Sequence, residues 1–269
     1  MATPAAVTEK ELVHYRAENG IALIEMDDPP ANTYTYAMMR QLDDAILRAR
    51  MDDGVHVLLL RGAGEKFFSA GADIKMLSEA EPGFKYYFCL HANETLQRLE
   101  QTSKLVIAAL NGHTVGGGLE IALACDLRLA RKEGGKIGLP EVNLGVLPGT
   151  GGTQRLPRLI GKSRAIDLMA TGRTLAPKEA LEWGILNRIF PRDAFWKETL
   201  AFAQGLTYPV HAARAVGLIK RSVVEGIEMP LYQGLALERE LQNRLFAMAD
   251  AKEGFRAFLE KRKPVFQGK

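Results

Sequence analysis

Two glutamates carry the residue types and settings that acid–base chemistry needs. Glu120 follows the triple glycine Gly116-Gly117-Gly118 after one intervening residue, Leu119, in the first turn of an expected helix. A carboxylate there either complements the positive end of the helix or serves as an acid or base. Glu141 follows Pro140 inside the apolar, glycine-rich run from Ile137 to Gly145, where a purely solvated role is hard to justify. Two glycine turns accompany the pair. The first, Phe68 to Asp73, is built from small residues that let a ligand approach the main chain, and the second, Gly116 to Gly118, opens a helix. Backbone amides released from sheet pairing at such turns bind anions, and two converging on one oxygen form an oxyanion hole. The plainer alternative, that the glycines only permit tight turns and close packing, stands beside it.

Other chemistries fail on spacing. Gly161-Lys162-Ser163 ends like a phosphate-binding loop, but Leu156 occupies the position of its first glycine. Gly149 to Gln154 lacks the third glycine of the dinucleotide fingerprint and does not open a βαβ unit. The histidines, His14, His56, His91, His113 and His211, show no ligand spacing, so no metal is expected. Cys89 and Cys125 are the only cysteines and form neither a CxxC motif nor a disulfide framework, which fits a reducing compartment.

The elements that must position these residues follow from periodicity. Leu12–Arg16 and Ile21–Met26 flank Asn19-Gly20 and predict a β-hairpin. Apolar residues at helical spacing predict a helix over Tyr36–Arg50, and Val55–Leu60 reads as a buried strand. A helix over Phe84–Glu100, a strand over Leu105–Leu110, a helix from the triple glycine to about Ala124 and a strand over Asp126–Ala130 repeat the plan. Beyond Gly161 helical patterns dominate: Ser163–Ala170, Pro177–Trp183, Ala194–Leu206, Val210–Glu225, Pro230–Met248 and Lys252–Lys261, with one strand-like run, Ile185–Phe190. A helical tail of this kind either caps a sheet or makes an oligomer interface.

Composition agrees with an α/β protein able to bury a large core. The 269 residues are 47% hydrophobic, and 35 basic against 32 acidic side chains leave a net charge of +3, which points to neither nucleic acid nor membrane. No apolar run approaches the ~20 residues of a membrane span, and no targeting segment is evident. A soluble, cytoplasmic protein is the expectation.

Three ordered segments give a resemblance to the crotonase superfamily: FSAGADIK from Phe68 to Lys75, NGHTVGGGLEIALACD from Asn111 to Asp126, and LPEVNLGVLPGTGGTQRL from Leu139 to Leu156. The similarity runs from about Val13 to the tail Lys261–Pro264. It implies a spiral of ββα units over residues 1–200 and a C-terminal helical region over 201–269 for trimerisation and active-site capping. It implies a homotrimer or homohexamer acting on acyl-CoA thioesters, with no cofactor beyond the CoA of the substrate. Ala72 and Gly117 match the oxyanion-hole amides. Glu120 matches the glutamate that activates water, and Glu141 the one that delivers a proton to the α-carbon. Ala70, Asp73, Ile74 and Lys75 match positions along the CoA arm, and Lys263 is a further candidate from the tail.

The implied activity is enoyl-CoA hydration. An isomerase on the same fold would need only the Glu141-type group, so Glu120 favours the hydratase. A decarboxylase or thioester hydrolase of the fold would usually lose one of the glutamates. An RNA-binding relative would need a basic helix face, but Arg40, Arg48 and Arg50 are interleaved with Asp43, Asp44 and Asp52. One departure stands out. Where many relatives carry Asn-Ala-Leu, this chain has Asn32-Thr33-Tyr34-Thr35-Tyr36, which would put bulky polar rings near the acyl or pantetheine channel. Phe84, Tyr86, Tyr87 and Phe88 would border the acyl pocket or join the core.

Overall fold

The computed structural model describes residues 10–269. It opens with the expected hairpin, β1 (Val13–Glu18) and β2 (Ile21–Met26), antiparallel with Glu18 opposite Ile21. Asn19 and Gly20 both take positive φ, as a two-residue hairpin loop requires. Helix α1 (Tyr36–Met51) starts where the Thr35 hydroxyl accepts the Met38 amide. It buries Met38, Met39, Leu42, Ala45, Ile46 and Ala49 along one face.

A repeating unit follows. Strands β3 (Val57–Gly62), β5 (Leu105–Leu110) and β7 (Leu127–Arg131) join a six-stranded sheet in the order β1-β2-β3-β5-β7-β9, with β9 spanning Arg188–Phe190. Strands β4 (Phe67–Ser69), β6 (His113–Val115) and β8 (Ile137–Gly138) form a separate parallel sheet in the order β4-β6-β8. Each turn of chain thus lays one strand in the large sheet and the next in the small one, the spiral the resemblance implied. Apart from β1–β2, all pairs are parallel, which demands crossovers. These are α1, α2 (Ile74–Ser78) with α3 (Pro82–Glu100), α4 (Gly117–Leu123), and three helices between β8 and β9.

Buried asparagines hold the corners between the sheets. Asn111 accepts the Gly62 amide at 3.1 Å and donates to the carbonyls of Gly62, Gly64 and Phe67. Asn32 donates to those of Ala63 and Phe67. Carbonyls left by the strand-to-strand turn would otherwise be buried unpaired, at a cost of about 1–3 kcal/mol each. The site loops leave directly from these corners.

The large sheet is buried on both faces. Along β3, Leu58 and Leu60 face one core with α1, α3 and α4, while Val57 and Leu59 face a second core with Phe195 and Ala203 of a later helix. The remaining helices are α5 (Gly152–Ile160), α6 (Lys162–Thr171), α7 (Pro177–Glu182), α8 (Phe195–Gln204), α9 (Ala213–Gly226), α10 (Leu231–Phe246) and α11 (Ala249–Leu259). Six match expected helical stretches, and α5 lies in a segment read only as a motif.

Two strands differ from expectation. Asp126 precedes β7, and its carboxylate accepts the Val106 amide at 2.7 Å and pairs with Lys220 of α9 at 2.9 Å. The run from Ile185 pairs only from Arg188. Ile185 and Leu186 fold back so that their amides donate to the Ala180 carbonyl, and Ile185 gives its own carbonyl to the buried Arg128 guanidinium. No helix among the described residues is long and apolar enough to cross a membrane.

Candidate active site

The site lies where the small sheet meets α4. The Gly116 amide donates to the Gly138 carbonyl of β8, and Gly116 itself turns into the helix with φ of +57°. The next residues are fully enclosed, and within them Glu120 is only 2% exposed. Its carboxylate is not solvated by default but held: Oε1 accepts the amides of Thr150 and Gly152, each at 2.7 Å. The loop that supplies those amides is itself fixed. Arg155 grips Glu100 of α3 with two hydrogen bonds of 2.7 and 2.6 Å and donates to the Thr150 carbonyl.

Glu141 begins a short 3₁₀ turn, Glu141–Leu144, directly after β8. Its Oε1 borders Gly116, where a Cβ would come within 3.3 Å of it. Its Oε2 is buried without a hydrogen-bond partner among the described residues. The two carboxyls therefore share one site with opposite surroundings. Burial raises the Glu120 carboxyl above its usual range, while the Gly152 and Thr150 donors and the Arg155 charge oppose it. Burial, reinforced by the Glu120 charge, pushes Glu141 up to about 7. Amide donors favour the charge on Glu120, whereas the free oxygen of Glu141 has nothing to stabilise an anion.

Two amides flank the pair. Tyr34 and Ala72 form a parallel bridge in which Tyr34 donates to the Gly71 carbonyl and accepts from the Asp73 amide. Ala72 thus turns its own N–H away, and among the described residues neither the Ala72 nor the Gly117 amide meets a protein acceptor. Gly71, with φ of +91°, lies so close that a Cβ there would stand 2.7 Å from the Gly117 nitrogen. The chain segments bearing the two amides are side by side.

The other CoA-arm candidates are distributed along one edge. The Ala70 amide donates to the Ala31 carbonyl and the Asp73 amide to Tyr34, so those N–H groups are occupied. The Asp73 carboxylate caps α2 by accepting the Met76 amide at 2.6 Å. Ile74 and Lys75 are exposed, as is Lys263 at the far end of the chain. Phe88 is buried and stacked with Phe84 at 6.1 Å, whereas Tyr86 and Tyr87 face outward. The aromatic segment thus divides between core and surface.

Sequence reasoning missed three contributors. Thr150 and Gly152 lie in the stretch discarded as a failed dinucleotide fingerprint, and its glycine-rich backbone serves instead to aim amides at Glu120. Tyr34, expected to lie near a channel, is 2% exposed and penetrates to the glutamates, with its hydroxyl 3.0 Å from that of Thr150. Tyr36, the other ring of that departure, is largely exposed.

A spiral of ββα units that buries a paired-carboxyl site beside two unpaired amides defines a crotonase-type fold. The Enoyl-CoA hydratase/isomerase family model matches residues 16–269. The chain is similar to a probable enoyl-CoA hydratase of Bacillus subtilis, 37% identical over 92% of this chain and 95% of that protein. It is similar also to a crotonyl-CoA hydratase of Syntrophomonas wolfei, 34% identical over 94% and 96%. A crystal structure of an enoyl-CoA hydratase from Geobacillus kaustophilus superposes with a TM-score of 0.94 at 49% identity, over 97% of this chain and 98% of that one. The protein belongs to the enoyl-CoA hydratase/isomerase family of the crotonase superfamily.

Proposed function

We propose that the protein is an enoyl-CoA hydratase that adds water syn across the 2,3-double bond of a trans-2-enoyl-CoA. The observation that carries the reading is the shared burial of Glu120 and Glu141 with opposite hydrogen-bond surroundings. The thioester oxygen takes the Ala72 and Gly117 amides, which stabilise the enolate-like charge as it develops, an effect worth about 3 kcal/mol per donor in comparable sites. Ionised Glu120 holds a water and accepts its proton as the oxygen bonds to C3. Protonated Glu141 gives its proton to C2. The pair ends with the proton on Glu120 rather than Glu141, and return of that proton resets the enzyme.

Main-chain groups from Ala70 through Asp73 and Ile74 line the CoA arm in this reading, and Lys75 offers a point charge to its phosphates. The reaction calls for no cofactor and no metal beyond the CoA of the substrate. Residues 201–269 serve assembly into a homotrimer or homohexamer. Exposed Ile219, Val223, Ile227, Leu231 and Leu235 on or beside α9 and α10 support that role.

Loss of the 2-enoyl chromophore of crotonyl-CoA and of longer or branched enoyl-CoAs tests the proposal. Glu120→Gln and Glu141→Gln should each lower turnover by roughly 10²–10⁴ while leaving CoA-thioester binding intact. A wild-type protein that binds CoA thioesters but hydrates none of the series refutes it.

A further inference from the structure

We propose that Tyr34 is a positioning residue for this reaction, acting through Thr150 to orient a hydrogen bond onto Glu120 and hold that carboxyl ionised. The inference rests on the hydratase reading for its kinetic consequence but not for its geometry. Tyr34 Oη lies 3.0 Å from Thr150 Oγ1, with both residues buried. The Thr150 amide donates to Glu120 Oε1, and the Thr150 side chain independently interacts with the same carboxyl. A threonine hydroxyl has a single proton. If that proton points at Glu120, the contact with Tyr34 is satisfied only when the phenol donates.

The surroundings keep the phenol able to donate. Burial first, then the Glu120 charge, raise the Tyr34 phenol above its ordinary value, so it stays protonated throughout the working range. The ring cannot swing away: it is tilted against Phe88 with centroids 5.8 Å apart, and it lies on the Gly117 α-carbon, where a Cβ would be 2.3 Å from Oη. Thr150 is fixed in turn by its carbonyl, which accepts from Arg155. The charged and titratable groups facing Glu120 are Glu141 from the 3₁₀ turn, Arg155 from α5 and Tyr34 from the segment before α1. Only the last reaches it through a neutral hydroxyl. An aliphatic side chain at position 34 would fill the volume but leave the Thr150 proton unaimed.

The test is a pH titration of the Glu120 carboxyl by isotope-edited infrared spectroscopy, the band being assigned by its loss in Glu120→Gln. Tyr34→Phe keeps the ring and removes one hydroxyl. It should move the midpoint upward by roughly half to one pH unit, the size expected for one hydrogen bond. Thr150→Val should produce the same displacement, the double variant no more than either, and Thr150→Ser should restore the wild-type midpoint. The acidic limb of kcat/KM for crotonyl-CoA should move with the band while KM changes less than about twofold. An unmoved midpoint in Tyr34→Phe, or displacements of the two single variants that add, overturns the relay. If the band moves as stated but the wild-type protein hydrates no enoyl-CoA, the relay stands and the proposed function falls.

Discussion

The sharpest consequence of the site concerns pH. If Glu141 must carry the proton that reaches C2, activity follows the protonated fraction of a group pushed up to about 7 by burial and by the Glu120 charge. That fraction is roughly nine-tenths near pH 6 and one-tenth near pH 8, so kcat/KM should fall about tenfold across the interval. The limb belongs to the pair, since removing the last proton leaves two anions side by side. Hydration consumes no net proton, so the same limb must appear for dehydration of the 3-hydroxyacyl-CoA: both directions use the singly protonated pair and differ only in which glutamate holds the proton. Bound substrate displaces water from around Glu141 and raises it further, which puts the limb in kcat above that in kcat/KM. Initial rates with crotonyl-CoA and with 3-hydroxybutyryl-CoA across about pH 5 to 9 measure all three features. A flat profile through neutrality, or limbs that differ between the two directions, would refute the assignment of one shared proton to this pair.

Other consequences concern stability and turnover. Because Glu141 binds its proton more tightly folded than unfolded, its contribution to stability is complete below the unfolded value of 4.5 and is lost as pH rises through about 7. Urea unfolding near pH 8 should therefore find Glu141→Gln more stable than wild type by about 2 kcal/mol, after allowance for partial solvent screening, with no such gain near pH 4. Glu120→Gln should lower kcat by roughly 10²–10⁴ at the optimum with the fold intact by circular dichroism. Gly117→Ala drives a methyl into the Tyr34 ring and should cost about 1–3 kcal/mol by overpacking. Thermal denaturation should find much of that recovered in the Tyr34→Ala background, and no recovery would place the strain elsewhere. Lys220→Met strands the charge of the largely enclosed Asp126 and should cost about 3–5 kcal/mol. The Lys220→Met, Asp126→Asn double variant should lose less than the single one.

Much of the framework was legible because it is local. Asn19-Gly20 specified the hairpin, the spacing of Met38, Met39, Leu42 and Ile46 specified α1, and the apolar runs Val55–Leu60 and Leu105–Leu110 specified buried strands, the first of which pairs only from Val57. The C-terminal helices were readable for the same reason, since 3.6-residue periodicity needs no knowledge of the partner. The short strands β4, β6 and β8 were not: two or three residues carry no period, and their pairing is fixed by corners that Asn32 and Asn111 tie from a distance.

The site divides the same way. The sequence by itself proposed the parts: the two glutamates, the amides of Ala72 and Gly117, and the glycines that let main chain approach main chain. It did so through motif resemblance, with the bland alternatives still open residue by residue. Only the tertiary structure decided that Glu120 accepts two amides from a loop some thirty residues further along, that Glu141 is buried with an oxygen unpaired, and that Tyr34 crosses 116 positions of sequence to meet Thr150. Protonation is set by what surrounds a carboxyl in space, by desolvation, neighbouring charge and donors. None of these is a property of the residues next to it in the chain.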